Sequence, residues 1–181
     1  MTITIHSHQR SGTMFILNNL ARLLDMAGHN PGIHKSLLVG IENPDNFRVA
    51  VLRNPVDTIV STYAHTKIFR KSPNIDFNTK YLKIFVQQYV DHLLTLEKYS
   101  DEIVLYKFED LEKIVLDIAS KFVTVPENFS FKMNEDAENN PVTVRGSTVY
   151  ENIISGIEDH SVFAPAFEVY DRLIKKASII V

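Results

Sequence analysis

His8-Gln9-Arg10-Ser11-Gly12-Thr13 joins two segments of different periodicity. Before it, Thr2-Ile3-Thr4-Ile5 is short, β-branched and alternating, the pattern of a strand. After it, Phe15, Ile16, Leu20, Leu23 and Leu24 recur at helical spacing between Thr13 and Ala27, and Gly28 is a stop signal. A basic, hydroxyl-bearing, glycine-containing turn therefore leads from a strand to a helix N-terminus. Unpaired N–H groups and the positive end of the helix dipole meet an anion at such a place. Arg10 adds a permanent charge, and Ser11 and Thr13 add hydroxyl donors. Two readings fit: a site for a phosphate-like group, or an ordinary strand-to-helix turn with Ser11 or Thr13 as the N-cap. The turn is not a Walker A loop, because no glycine precedes Gly12 and no lysine follows it.

A second junction repeats the arrangement. Phe47-Arg48-Val49-Ala50-Val51-Leu52 reads as a strand buried on both faces, as in a parallel sheet. It runs into Arg53-Asn54-Pro55-Val56-Asp57. Asn54 suits an N-cap, Pro55 the first helical position, and Asp57 stands three residues after the cap. The helix that follows turns Ile59, Val60 and Tyr63 inward. Arg53 stands at the strand's end, and Ser61 about two turns into the helix. The two meet on a common group only if the ligand is bulky or the chain bends. The alternative is a surface arginine and a helix-facing serine.

These residues carry a resemblance. The two motifs resemble those of the sulfotransferases that use 3′-phosphoadenosine 5′-phosphosulfate (PAPS). In that family a Pro-Lys-Ser-Gly-Thr-Thr-Trp loop holds the 5′-phosphosulfate, and Arg-Asn-Pro-x-Asp-x-x-x-Ser holds the 3′-phosphate. Here Arg53, Asn54, Pro55, Asp57 and Ser61 all fall in register. The first loop matches at Ser11, Gly12 and Thr13, with Arg10 in the lysine position; Gln9, Met14 and Phe15 replace the proline, second threonine and tryptophan. Lys107-Phe108-Glu109-Asp110-Leu111 follows an apolar strand (Ile103 to Tyr106) and opens a helix ending near Phe122. It is similar to the family's Arg-Tyr-Glu-Asp-Leu, whose aromatic residue lies near the adenine. Val144-Arg145-Gly146 with Tyr150-Glu151-Asn152 is similar to the Arg-x-Gly … Trp-Lys-Asn loop that closes over the 3′-phosphate, with Tyr150 for Trp and Glu151 for Lys. A polar surface loop after Pro141 is the other reading of that segment. The resemblance implies an α/β fold of the P-loop-like sulfotransferase type: one domain over residues 1–181, with a parallel sheet flanked by helices. It implies nucleotide contacts from Arg10, Ser11, Gly12, Thr13, Met14, Arg53, Ser61, Phe108, Arg145 and Gly146.

Composition agrees with one domain. The chain has 181 residues, 45% of them apolar, enough for a sizeable core. Its net charge of −3 gives no general attraction to nucleic acid or anionic membrane, so any positive patch is local. The absence of cysteine excludes disulfides and thiolate metal sites and fits a reducing compartment. No apolar run reaches the length of a membrane span. The first strand begins at once, which predicts no signal peptide and a cytoplasmic protein. Strands alternating with helices predict a parallel sheet with ligands beyond the strands' carboxyl ends. Residues 78–99 read as a long amphipathic helix with Tyr81, Leu82, Phe85, Val86, Tyr89, Leu93 and Leu96 on its apolar side. Residues 67–73 read as a basic loop, residues 127–147 as a polar cover, and residues 163–176 as a final helix.

Sulfuryl transfer from PAPS to a hydroxyl or amine needs positive charge at the leaving phosphate, a base for the acceptor, and alignment. It needs no metal in principle, and the product is adenosine 3′,5′-bisphosphate (PAP). Arg10, always protonated, acts there by charge and hydrogen bonds rather than as a proton donor. The base is expected to be one of seven histidines. The family's catalytic histidine follows a second strand, and Ile33-His34-Lys35-Ser36-Leu37-Leu38 fits that place, so His34 and Arg10 are the expected catalytic residues. His8, inside the first loop, is the next candidate, and His65 is one turn beyond Ser61. His6 belongs to the first strand, and His29, His92 and His160 read as surface residues. The acceptor is a small molecule, a glycan or a peptide, since the interval from Arg10 to His34 is short for the family. The family's C-terminal dimer motif is missing near Glu151. Two other functions share the strand–loop–helix start: a small P-loop-like nucleotide kinase, disfavoured by the missing Gly-Lys-Ser/Thr, and a non-catalytic nucleotide-binding module.

Overall fold

A central parallel strand is covered on both faces and is apolar throughout, and Phe47–Leu52 has that composition. In the computed structural model, which describes residues 2–8, 12–36, 46–69, 79–132 and 148–177, this segment is β3. It joins β1 (Thr2–His6), β2 (Gly32–Ser36) and β4 (Val104–Lys107) in one sheet of order β2-β1-β3-β4. Every pairing is parallel: Thr4 stands opposite His34 and Arg48, and Ala50 opposite His6 and Leu105. The helices are α1 (Thr13–Met26), α2 (Pro55–Phe69), α3 (Thr79–Lys98), α4 (Leu111–Ser120), α5 (Thr148–Ser155) and α6 (Ala164–Ile174), the last preceded by a 3-10 turn (His160–Phe163).

The two-residue period of a strand divides the core. Val49 and Val51 face one side with Ile3, Ile5 and Tyr106, packed on Ile16 and Leu20 of α1 and Ile114 and Ile118 of α4. Ala50 and Leu52 face the other side with Leu105, against Ile59 and Tyr63 of α2, Leu93 of α3, Ile153 of α5 and Leu173 of α6. The sheet is thus flanked by helices, as expected. Among the described residues no helix is long and apolar enough to cross a membrane.

Several local expectations are corrected. Residues 67–69 continue α2 instead of forming a loop, and the rest of that expected loop, 70–73, lies outside the described residues. Tyr81 is exposed, not on the packed face of α3. Residues 150–152 belong to α5 rather than to a loop. Residues 127–132 lie along α1. Asn19, fully buried, donates to the Lys132 carbonyl and accepts from the Lys132 N–H at 2.9 and 2.8 Å, and Phe131 stacks on Phe15. The remainder of the expected cover, 133–147, lies outside the described residues.

His92 is not a surface residue. Its ring stacks on Tyr89 and meets His8 edge-on, and its Nε2 is buried with no hydrogen-bond partner among the described residues. Both ring nitrogens of buried His6 are likewise without one. Burial holds the His6 pKa below its usual value, with the positive charge of Arg48 adding to it. Burial, then the neighbouring His8 and His6, push the His92 pKa from 6.5 down to about 3. The unfolded chain therefore binds more protons than the folded one between those two values, and stability falls as pH drops through that window. Each pH unit crossed is worth at most about 1.4 kcal/mol per histidine. Denaturant titrations from pH 7 downward are expected to show this slope, and His92→Phe is expected to flatten it. An equal slope in the variant removes His92 as its source.

Candidate functional site

β1 lies between β2 and β3, so the chain leaves β1 towards one edge of the sheet and later continues on its other side. Ligands of parallel sheets sit at such a switch point, beyond the carboxyl ends of the strands. The turns that follow β1, β3 and β4 all emerge on this edge.

The β1–α1 turn ends on Gly12, the N-cap of α1, at a φ of 74°. A side chain is strained at that angle. The space is closed as well: a β-carbon there would lie 2.8 Å from both Phe108 Cε2 and Leu111 Cδ1. Being glycine, the cap supplies no side-chain acceptor to the first N–H groups of α1, and no acidic residue stands in its first turn. The other two turns differ. Asn54 Oδ1 accepts from the Val56 N–H at 2.9 Å, capping α2 as expected, and Asp110 accepts from the Lys113 N–H at 3.1 Å, capping α4. Thr13 is buried and its hydroxyl donates to that of Ser7, which is fully buried. Met14 is exposed on the first turn of α1.

The β3–α2 turn supplies Arg53. Its guanidinium lies over the Phe108 ring, 4.6 Å from the centroid, a cation–π contact. The Phe108 N–H donates to the Leu52 carbonyl at 2.9 Å, which extends the β3–β4 ladder into this turn. The Arg53 carbonyl accepts from the Tyr89 hydroxyl of α3 at 2.7 Å. Ser61 is fully buried, and its hydroxyl has no partner among the described residues. Tyr150 of α5 donates to Asp57 Oδ1 at 2.7 Å and so ties the C-terminal part of the chain to the first turn of α2.

Gly12, Phe108 and Arg53 thus meet, and Tyr150 joins α2 beside them. Arg10, Ser11, Arg145 and Gly146 lie outside the described residues. His34 is not brought to this cluster. It lies within β2, not after it, and is exposed. It pairs with Thr4 at the level of Arg48. Leu52 is about 13 Å further along the sheet at the usual rise of a strand. A β-carbon on Gly32 would be 3.4 Å from both His34 Nε2 and Thr2 Oγ1, so the ring leans towards the amino end of the sheet. His8, two residues beyond β1, meets Tyr89 with ring centroids 5.0 Å apart. Among the described residues no group of three or more His, Asp or Glu is placed to hold a metal ion. Gly12 and Arg53 were marked by their places in the two strand-to-helix junctions, and Phe108 by the motif that its segment resembles. Tyr89 and Tyr150 gave only apolar-face and loop signals, since a hydroxyl's partner across the fold leaves no local pattern.

Comparison with models of known protein families, with curated proteins and with solved structures finds no match to this chain.

Gly12→Ala is expected to destabilise the fold by about 1–3 kcal/mol, from the left-handed backbone and the overpacking against Phe108 and Leu111. Gly12→Asn, which tolerates that backbone angle better, separates the two causes in chemical denaturation. An Asn variant as stable as glycine refutes the packing contribution.

Proposed function

We propose that this chain is a PAPS-dependent sulfotransferase of the P-loop-like fold, moving a sulfuryl group to a hydroxyl or amine acceptor. The observation that carries the reading is the contact of Phe108 with both Gly12 and Arg53. Three segments far apart in sequence, each similar to a different PAPS-binding segment of one family, converge at the switch point of a parallel sheet. The buried hydroxyl of Ser61, without a partner among the described residues, supports it, because a buried donor without an acceptor is costly and gains from a ligand oxygen.

On this reading Arg53 and Ser61 hold the 3′-phosphate, and the α1 N-terminus with Arg10 holds the 5′-phosphosulfate. The acceptor oxygen or nitrogen attacks sulfur in line as the bond from sulfur to the phosphate oxygen breaks. The acceptor's proton passes to a histidine. Arg10 and the first N–H groups of α1 stabilise the charge left on the departing phosphate. His8 is better situated for the proton than His34, because it stands beyond a strand end next to the Arg53 turn. The position of His34 also favours a second reading, a module that binds the nucleotide without transferring sulfate.

PAP is expected to raise the melting temperature in the absence of magnesium, and AMP, which lacks the 3′-phosphate, to do so far less. Equal stabilisation by AMP, or a strict need for magnesium, counts against a PAPS site and towards a kinase. Calorimetry on Arg53→Ala is expected to show PAP binding weakened by about 1.5–3 kcal/mol, the range for a hydrogen bond to a charged group. Unchanged affinity removes Arg53 from the site.

With labelled PAPS and an acceptor found by screening, His8→Ala is expected to lower turnover by roughly 10²–10⁴ and leave PAP affinity within a few-fold. If His34→Ala is the variant that loses turnover, the base is His34 after all. Tight PAP binding with no acceptor turned over identifies the non-catalytic module.

A further inference from the structure

Tyr89 lies on the packed face of α3 and is almost fully buried. Nothing in its sequence context separates it from the core residues around it. Its two ends, however, meet the two turns that flank the switch point. The hydroxyl donates to the Arg53 carbonyl at 2.7 Å and is within hydrogen-bonding reach of Thr58 in the first turns of α2. The ring packs edge-on against His8, the residue that follows β1 and Ser7. Arg53 is therefore held at two points. Phe108 carries its guanidinium from the β4 side of the sheet, and Tyr89 carries its backbone from the α3 side.

We infer that Tyr89 is a positioning residue for recognition of a nucleotide 3′-phosphate, holding the Arg53 peptide so that the guanidinium is presented at one fixed place beside α2. This rests on the PAPS reading of the site. A long arginine side chain recognises an oxyanion well only when its base is fixed to within about half an ångström. The strand ladder holds only the peptide before Arg53, through the Phe108 N–H on the Leu52 carbonyl; the peptide after Arg53 lies beyond the last residue of β3. The Tyr89 hydroxyl supplies the missing restraint. Replacing it by hydrogen removes the restraint and keeps the ring that packs the core.

The test is Tyr89→Phe, examined with and without nucleotide. In titration calorimetry PAP affinity is expected to fall roughly three- to tenfold, the effect of one net hydrogen bond. AMP affinity is expected to stay within twofold, because AMP does not use Arg53. In an Arg53→Ala background the same change is expected to have no further effect on PAP binding, as for two residues acting as one unit. Without nucleotide, amide hydrogen exchange at Val56 and Thr58, whose N–H groups bond to Asn54, is expected to quicken while the strands stay protected. Unchanged PAP affinity, or PAP and AMP weakening in parallel, overturns the positioning role. If the unaltered protein binds no PAP, the sulfotransferase reading fails. Exchange then decides about Tyr89: unchanged protection of the turn overturns its restraint on Arg53, and faster exchange retains that restraint.

Discussion

The carboxyl edge of this protein depends on a missing β-carbon. β3 lies between β1 and β4, so a side chain from the turn after β4 reaches the turn after β1 only by crossing the end of β3. Phe108 makes that crossing, and it stops against Gly12 at a distance no other residue type allows. The residue that leaves β3 beneath it is Arg53, whose guanidinium takes the ring's face. One contact therefore closes the first turn, roofs the second and fixes where a positive charge stands. The hydrogen bond from the Phe108 N–H to the Leu52 carbonyl keeps the ring from drifting, because it makes the turn a continuation of the ladder.

The fold was largely legible because its signals are local. Alternation in Thr2–Ile5, an apolar run in Phe47–Leu52, and Asn54-Pro55 at a helix start each act within a few residues, and the elements formed close to where those signals stand. Failures fall where the deciding partner is distant. Tyr150 reads as part of a polar loop until Asp57, far away in sequence, accepts its hydrogen bond. His92 reads as a polar helix position until His8 and Tyr89 enclose it. Lys132 docks on α1 through both its backbone groups, using one Asn19 side chain in place of a neighbouring strand. Its own sequence gives no sign of that. Of the residues that meet at the carboxyl edge, Gly12 and Arg53 were marked by type and spacing and Phe108 by the motif it resembles, Tyr89 not at all.

Polar groups beneath the site are handled in two ways. Arg48, almost fully buried in β3, reaches the exposed carboxylate of Glu102 at 2.9 Å. His6 and His92 instead stay neutral, since their buried nitrogens find no partner among the described residues and burial disfavours a charged ring. The first arrangement anchors the amino end of β4 to the sheet. The second ties the α3–β1 interface, and with it the seat of Tyr89, to pH.

Strand geometry also decides which histidine can serve a reaction at this edge. A residue inside a parallel strand projects from a face of the sheet, where helices or solvent meet it, and not from the end, where the ligand of a switch point lies. His34 pairs with Thr4 within the sheet, and the carboxyl end of β2 is Ser36. A shift of two residues in β2 would be needed to bring the imidazole to the edge, and the ladder to β1 opposes it. His8 has already left its strand, and its ring rests on the same tyrosine that holds Arg53. Its other ring neighbour, His92, stays uncharged at neutral pH. On the proposed sulfotransferase reading, a proton taken up by His8 would thus meet a neutral imidazole instead of a second positive ring.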